Sequence, residues 1–276
     1  MRILELLKVI LLGVVEGLSE WIPISSTGHM ILVDEFIKLN ITPEFKELFL
    51  VVIQLGAIMA VVILFWKKLF PFDFSDIKKG FIIKDKFDLW IKIIVACLPA
   101  GVIGVLFDDW FDKHFYNWYV VSFTLVFYGI LFILIENLNK GKEPRIKKIE
   151  NLSYKTVLLI GFFQILAIIP GTSRSGATIL GAMLIGTSRY VATEFTFYLA
   201  IPVMFGAGLV KLMKFGLVFT MQELLILLIG MLTALLVSII AIKFLLSYIK
   251  KKDFKIFGWY RIVLGLLMFL YFFMIK

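Results

Sequence analysis

The chain alternates long apolar segments with short charged connections. Crossing a hydrocarbon core as α-helix takes about 20 apolar residues, and six runs approach that length: 48–66, 89–107, 115–135, 195–213, 224–242 and 256–275. Two further apolar regions, 4–39 and 154–187, are interrupted at their centres by PISSTG and PGTSRSG. Because each half is short for a span, the pattern predicts six spanning helices and two re-entrant helical hairpins. Broken backbone at membrane depth needs surrounding protein or a wet cavity, so the two breaks are the predicted site.

The charged connections orient the predicted spans. Three of them carry an excess of lysine and arginine, and the positive-inside rule places them in the cytoplasm: 67–88, 140–150 and 250–255. The segment 108–114 carries three aspartates against Lys113 and is predicted to be an outside loop. These assignments alternate only if 154–187 begins and ends on one side, as a hairpin does. The ends of the first hairpin and the C-terminus then lie outside, although parity also permits two full crossings in each region.

Composition agrees with a membrane protein. The chain is 61% hydrophobic and 18% charged, which indicates an all-α, polytopic integral membrane protein with one membrane domain, 1–276. The net charge of +9 is explained by lysines that meet anionic lipid headgroups on one face. A nucleic-acid partner is excluded because no soluble module carries a basic face with aromatic platforms. The sequence leaves a homodimer open.

The two breaks follow one template. An offset of 148 residues aligns glycine with glycine and polar with polar positions, as in the pairs Glu16 and Gln164, Ser25 and Ser173, Ser26 and Arg174, and Gly28 and Gly176. This predicts an inverted-topology repeat with halves 1–136 and 153–276. The second arm of each hairpin is predicted to start at Gly28 and at Gly176. Two helix N-termini would then point into the membrane interior, where they suit an anion such as phosphate.

Two carboxylates precede the first break. Glu16 and Glu20 are four residues apart, so they share one helix face. An ionised carboxylate at bilayer depth costs at least about 2.5 kcal/mol, so something cationic should lie beside them. A divalent metal, Arg174 from the other break, or a proton would each meet this requirement.

The breaks also supply nucleophiles, a base and a cation. At least one of Ser25, Ser26 and Thr27 is expected only to cap a helix. His29 follows Ser26 within one turn and could act as its base or attack phosphorus itself. Arg174 lies in a Gly/Ser turn, where its planar fork fits a carboxylate or phosphate. His114 has no predicted role, and the aromatic residues near the span ends, Tyr260 among them, are assigned to an interfacial belt.

These motifs carry a family resemblance. Glu16-x-x-x-Glu20 with WIPISSTGH, together with PGTSRSGAT at 170–178, resembles the undecaprenyl-diphosphate phosphatases of bacteria, the bacitracin-resistance type. The resemblance implies a plasma-membrane enzyme that hydrolyses C55 prenyl diphosphate to the monophosphate plus phosphate, recycling the lipid carrier of cell-wall synthesis. It also implies a divalent cation, Mg²⁺ or Ca²⁺. The family's acidic motif corresponds to Glu16 and Glu20, and its serine and histidine to Ser26 and His29. Its phosphate-binding motif corresponds to Ser173, Arg174 and Thr178.

The expected mechanism combines both lines of reasoning. Ser26 attacks the terminal phosphorus with His29 as base, while Glu16 and Glu20 hold the metal. The phosphates are gripped by the turn at 173–178, which supplies Ser173, Arg174, Ser175, Gly176 and Thr178. Direct attack by His29 or by water on the metal stays open. The pocket is expected to open to the extracytoplasmic side. The alternative function is a prenyl-phosphate flippase, because broken helices in inverted repeats are also typical of transporters.

Overall fold

The computed structural model describes residues 3–74, 81–216 and 218–275, without the side chains of 108, 109 and 112. These residues form an all-α structure with two short 3₁₀ segments, Ile149–Asn151 and Leu166–Ile168. Its α-helices are α1 (Ile3–Ser19), α2 (Ser26–Phe36), α3 (Pro43–Leu69), α4 (Lys84–Phe115), α5 (Trp118–Asn139), α6 (Tyr154–Ile165), α7 (Arg174–Ile185), α8 (Arg189–Phe215), α9 (Met221–Ile249) and α10 (Lys255–Ile275).

Six of the described helices are long and apolar enough to cross a membrane: Pro43–Leu69, Lys84–Phe107, Trp118–Asn139, Arg189–Phe215, Met221–Ile249 and Lys255–Ile275. Each overlaps one of the six predicted runs, so the prediction of an all-α, multi-pass membrane protein is confirmed. The regions 4–39 and 154–187 instead contain the shorter helices α1, α2, α6 and α7. The predicted breaks are therefore real interruptions of helix.

One predicted loop was wrong. Residues 108–114 are the last turns of α4, which continues to Phe115, and residues 116 and 117 make the connection to α5. The segment contains neither glycine nor proline, so nothing in it ends the helix, and charged residues are tolerated where a helix leaves the hydrocarbon. In the basic connection predicted at 67–88, residues 75–80 lie outside the described residues.

The first broken region returns to where it began. The Lys8 Nζ at the start of α1 donates to the carbonyl of Lys38 beyond α2 (2.7 Å), and the Asn40 amide donates to Glu5 Oε2 (3.1 Å). The second region closes in a similar way. The Arg145 amide donates to the Gly186 carbonyl (2.9 Å) and the Ser188 amide to the Ile146 carbonyl (2.8 Å), which joins the approach to α6 to the end of α7.

Helix pairs in the core approach to backbone contact. A Cβ on Gly56 of α3 would lie 2.2 Å from the Met231 carbonyl oxygen of α9, and one on Gly161 of α6 would lie 2.3 Å from the Ala96 carbonyl oxygen of α4. Small residues allow such close packing, and van der Waals contact then replaces the hydrophobic effect that lipid does not provide. α1 packs on α9, α3 on α8 and α5 on α10.

Gly56→Ala is expected to destabilise the protein, because the added methyl cannot fit against the Met231 backbone. Overpacking of this kind costs about 1–3 kcal/mol, and it should lower the midpoint of thermal unfolding in detergent. Gly104→Ala is the matched control in α4, where nothing lies within 4 Å of the new Cβ. Equal midpoints for both variants would contradict the close packing of α3 and α9.

Candidate active site

Both breaks end in a serine that caps the following helix. α2 begins at Ser26 and α7 at Arg174, two residues before the predicted starts at Gly28 and Gly176. The preceding serines, Ser25 and Ser173, have φ of 75° and 73°. Their hydroxyls accept from the Gly28 amide (3.3 Å) and the Gly176 amide (3.1 Å). Ser25 is fully buried and only caps, as expected for one of the three hydroxyls in its motif.

Glu20 is the point where the two breaks meet. Ser26 Oγ donates to Glu20 Oε2 (2.7 Å), and Arg174 Nη2 donates to Glu20 Oε1 (2.9 Å). Ser175 Oγ donates to the backbone carbonyl of Glu20 (3.2 Å). Glu20 is 6% exposed, so its attraction to Arg174 is screened less than at a surface. Of the cations expected beside the acidic pair, the structure supplies Arg174.

Glu16 lies one turn before Glu20 and is 1% exposed. Its Oε1 atom has no hydrogen-bond partner among the described residues, and an unsatisfied buried acceptor is unfavourable. In the same part of the chain, no group of three or more His, Cys, Asp or Glu is placed to hold a metal ion. Two carboxylates still suit Mg²⁺ or Ca²⁺ when substrate oxygens and water complete the coordination. Glu16 and Glu20 therefore fit a metal that is bound together with a phosphate ligand.

The second break contributes Arg174 and a set of hydroxyls. Arg174 also donates through Nη1 to the Thr196 carbonyl (3.0 Å), which fixes its plane. The hydroxyls of Ser173 and Ser175 are 3.1 Å apart. Thr178 is buried, donates to the Arg174 carbonyl (2.9 Å) and accepts from the Thr196 hydroxyl (2.9 Å). Of the five predicted phosphate-binding residues, Ser173 and Arg174 are partly exposed, whereas Ser175, Gly176 and Thr178 are buried.

His29 is held away from Ser26. Its Nδ1 lies 2.7 Å from the Ser25 carbonyl oxygen, and its Nε2 lies 2.7 Å from the Tyr260 hydroxyl. A carbonyl only accepts, so Nδ1 carries the proton and Nε2 accepts from the tyrosine. The hydroxyl of Ser26 is bonded to Glu20, not to His29. In this arrangement Glu20 is the group placed to take the proton of Ser26.

Two residues of α10 were missed by sequence reasoning. Tyr260, assigned to an interfacial belt, contacts His29 through its hydroxyl, and no sequence signal marks that contact. Arg261 is fully buried and reaches both breaks. The sequence did contain a signal for it, because an arginine inside a spanning run is costly and usually functional. His114 bonds to the Trp110 carbonyl (2.8 Å) in the last turns of α4.

Sequence comparison relates the chain to known proteins. The family model described as bacitracin resistance protein BacA matches residues 9–267. The undecaprenyl-diphosphatase of Acetivibrio thermocellus is 64% identical over 99% of this chain and 100% of its own length. The undecaprenyl-diphosphatase of Desulfitobacterium hafniense is 62% identical over 99% of this chain and 98% of its own length. That of Enterococcus faecalis is 60% identical over 97% of each chain. Because the match covers nearly its whole length, this chain belongs to the bacitracin resistance protein BacA family.

Proposed function

We propose that this protein is a membrane phosphatase that hydrolyses undecaprenyl diphosphate to undecaprenyl phosphate and inorganic phosphate. The observation that carries the proposal is the convergence of Ser26 and Arg174 on Glu20, between the starts of α2 and α7. A hydroxyl, a carboxylate and a guanidinium at two helix N-termini suit phosphoryl transfer, which depends mainly on positioning and charge neutralisation. The substrate follows from the relatives, which are undecaprenyl-diphosphatases.

The hydrogen bonds support Ser26 as nucleophile and Glu20 as base. Ser26 Oγ attacks the terminal phosphorus as its proton passes to Glu20, 2.7 Å away. The bond from phosphorus to the bridging oxygen breaks, and prenyl monophosphate leaves with the electron pair and takes up the proton that Glu20 had accepted. Water then attacks the phosphoserine as its proton passes to the regenerated Glu20 carboxylate. The bond from phosphorus to Ser26 Oγ breaks, Glu20 returns the proton to Oγ, and inorganic phosphate is released. Attack by His29 would require its Nε2 to leave the Tyr260 hydroxyl.

The phosphate charge is met by groups from both breaks. Arg174, fixed by Glu20 and the Thr196 carbonyl, presents its fork to the phosphate oxygens together with Ser173. Glu16 and Glu20 would hold a divalent cation, which when bound neutralises part of the diphosphate charge. Glu16 Oε1, free of partners among the described residues, is the available ligand atom. The first turn of α7 is held in place by hydrogen bonds of Ser175, Gly176 and Thr178, which support the phosphate-binding residues without contacting the phosphate.

The surroundings of α2 suit a lipid substrate. A cavity of about 560 Å³ runs beside α2. Its lining combines apolar and charged residues, among them Met30, Ile31, Phe49, Trp118 and Phe272 with Asp34, Glu35, Lys46 and Glu47. It has room for only part of a C55 chain, and the rest would stay in the bilayer. A lipid-embedded catalyst of this form takes the headgroup inward and leaves the tail between helices.

The repeated geometry supports an inverted repeat within a single membrane domain, 1–276. α2 and α7 start 148 residues apart, each after a serine cap with positive φ. In such a repeat, α1 and α4 of residues 1–136 correspond to α6 and α9 of residues 153–276. A two-fold relation then requires the contact between α1 and α9 to be matched by a contact between α6 and α4, and both contacts are present. The closed ends of both broken regions support re-entrant hairpins. With the basic connections inside, the first hairpin opens to the extracytoplasmic side of the bacterial plasma membrane.

Purified protein is expected to release phosphate from C55 diphosphate, and a chelator should abolish most of that activity. Glu16→Gln should lower turnover about tenfold or more and weaken the response to added Mg²⁺ or Ca²⁺, because it removes a charge that holds the cation. Phosphate release is measured with and without chelator. Wild-type protein that releases no phosphate would refute the proposed function, whereas an unchanged metal response in Glu16→Gln would refute only the metal role.

Arg174→Lys is expected to be nearly as inactive as Arg174→Ala. The ammonium keeps the charge but cannot bond to Glu20, the Thr196 carbonyl and a phosphate in one plane, and loss of such a fork lowers turnover by about tenfold or more. The measurement is kcat for C55 diphosphate. Lys68→Arg, at an ion pair with Glu194 remote from the breaks, is the control and should stay active. A lysine variant with most of its activity would show that Arg174 acts only as a counter-charge.

The orientation of the site is tested by cysteine labelling in intact cells on a Cys97→Ser background. A membrane-impermeant maleimide should label Asn40→Cys and, more slowly, Thr27→Cys beside the site, because the first hairpin opens outside. Lys142→Cys, on the basic connection before α6, should react only after the cells are permeabilised. Labelling of position 142 in intact cells would overturn the orientation. Access to position 27 from both faces would favour a flippase over a phosphatase.

A further inference from the structure

Arg261 of α10 connects the two breaks directly. Its Nη2 donates to the carbonyls of Gly171 and Thr172 in the second break, both at 2.9 Å. Its Nη1 donates to the carbonyl of Pro23 in the first break at 3.3 Å. The side chain is fully buried. One guanidinium therefore bonds three backbone carbonyls on the segments that lead into α2 and α7.

These carbonyls need a buried donor. At a break the backbone leaves the helical hydrogen-bond ladder, and in a membrane protein an unpaired carbonyl costs several kcal/mol. The planar fork of arginine bonds acceptors on both sides at once, which the single ammonium of lysine cannot do. The ring of Tyr128 lies beside the guanidinium, 5.7 Å from ring centroid to Cζ, and helps to fix its plane.

The charge of Arg261 has no acidic partner in the described part of the chain. The ion pairs found there involve Arg174 and Arg189 but not Arg261. A Cβ on Gly176 would lie 3.1 Å from Arg261 Nη1, so the guanidinium lies against the first turn of α7. The uncompensated charge thus adds to the positive end of that helix.

We propose that Arg261 is a positioning residue of the phosphatase site, a clamp that fixes the first break to the second so that Ser26 and Arg174 face one phosphate. The inference rests on the proposed function. It assigns to α10 the role of holding the two breaks in position. Ser26 and Arg174 contact Glu20 and face the phosphate, whereas Arg261 binds the backbone segments that lead into the helices carrying them.

The test compares Arg261→Lys with Arg189→Lys. Arg189 forms a bidentate pair with the buried Glu136 (Nε to Oε1 2.8 Å), so its variant loses a similar fork without touching either break. Arg261→Lys is expected to lower kcat about tenfold or more, with KM changed less than about threefold, because misalignment affects the transition state more than headgroup binding. Arg189→Lys should keep kcat. Thermal midpoints in detergent are recorded for both, and the two variants should be destabilised to a similar degree.

Several results would overturn the clamp. An Arg261→Lys protein with more than half of the wild-type kcat would do so, as would an equal loss of kcat in Arg189→Lys at a similar midpoint, since that marks a general loss of stability. If Arg261→Lys does not fold, Tyr128→Leu is the second variant. It removes the ring beside the guanidinium and should lower kcat about threefold, and an unchanged kcat would refute the clamp. Wild-type protein without phosphatase activity would instead remove the proposed function, and the inference with it.

Discussion

Every backbone group released by a helix break inside a membrane must find a partner in the protein or in a water-filled cavity, because lipid offers none. This constraint explains much of the structure around the two breaks. Ser25 and Ser173 accept the amides of Gly28 and Gly176, and Arg261 satisfies carbonyls of both breaks. The close crossings of α3 with α9 and of α6 with α4 exclude lipid from the same region.

The same constraint governs the charges. Glu20 is nearly buried, and it is tolerated there because Arg174 and Ser26 donate to its two oxygens. Breaking a buried pair of this kind by removing one partner costs about 3–5 kcal/mol. A phosphate that enters the site brings its own negative charge to Arg174 and so competes with Glu20. The contact between Glu20 and Arg174 thus stabilises the structure, and under the proposed function it is also the contact that a phosphate would share.

Sequence reasoning predicted the features that depend on local pattern. The six spans, the two breaks and a serine that acts only as a cap could all be read from hydrophobic runs and residue types. The partner of Ser26 could not, because Glu20 and His29 are both within reach in sequence, and the side-chain direction depends on the left-handed turn at Ser25. The length of α4 was misjudged because charge alone was taken to end a helix. Tyr260 lies 231 residues from His29, a distance at which pattern carries no information.

The site is divided between the halves of the chain in a way that ties activity to their docking. The first break supplies Glu16, Glu20 and the proposed nucleophile Ser26, whereas the second supplies Arg174 and the cap at Ser173. The charge of neither break is neutralised by its own residues. Alone, the first break would bury negative charge and the second would bury positive charge, and each is unfavourable in lipid. Docking of the halves therefore stabilises the fold and brings the site residues together. Glu20 bonds to Arg174 and Ser175 across the two breaks, and Arg261 fixes the backbones of both.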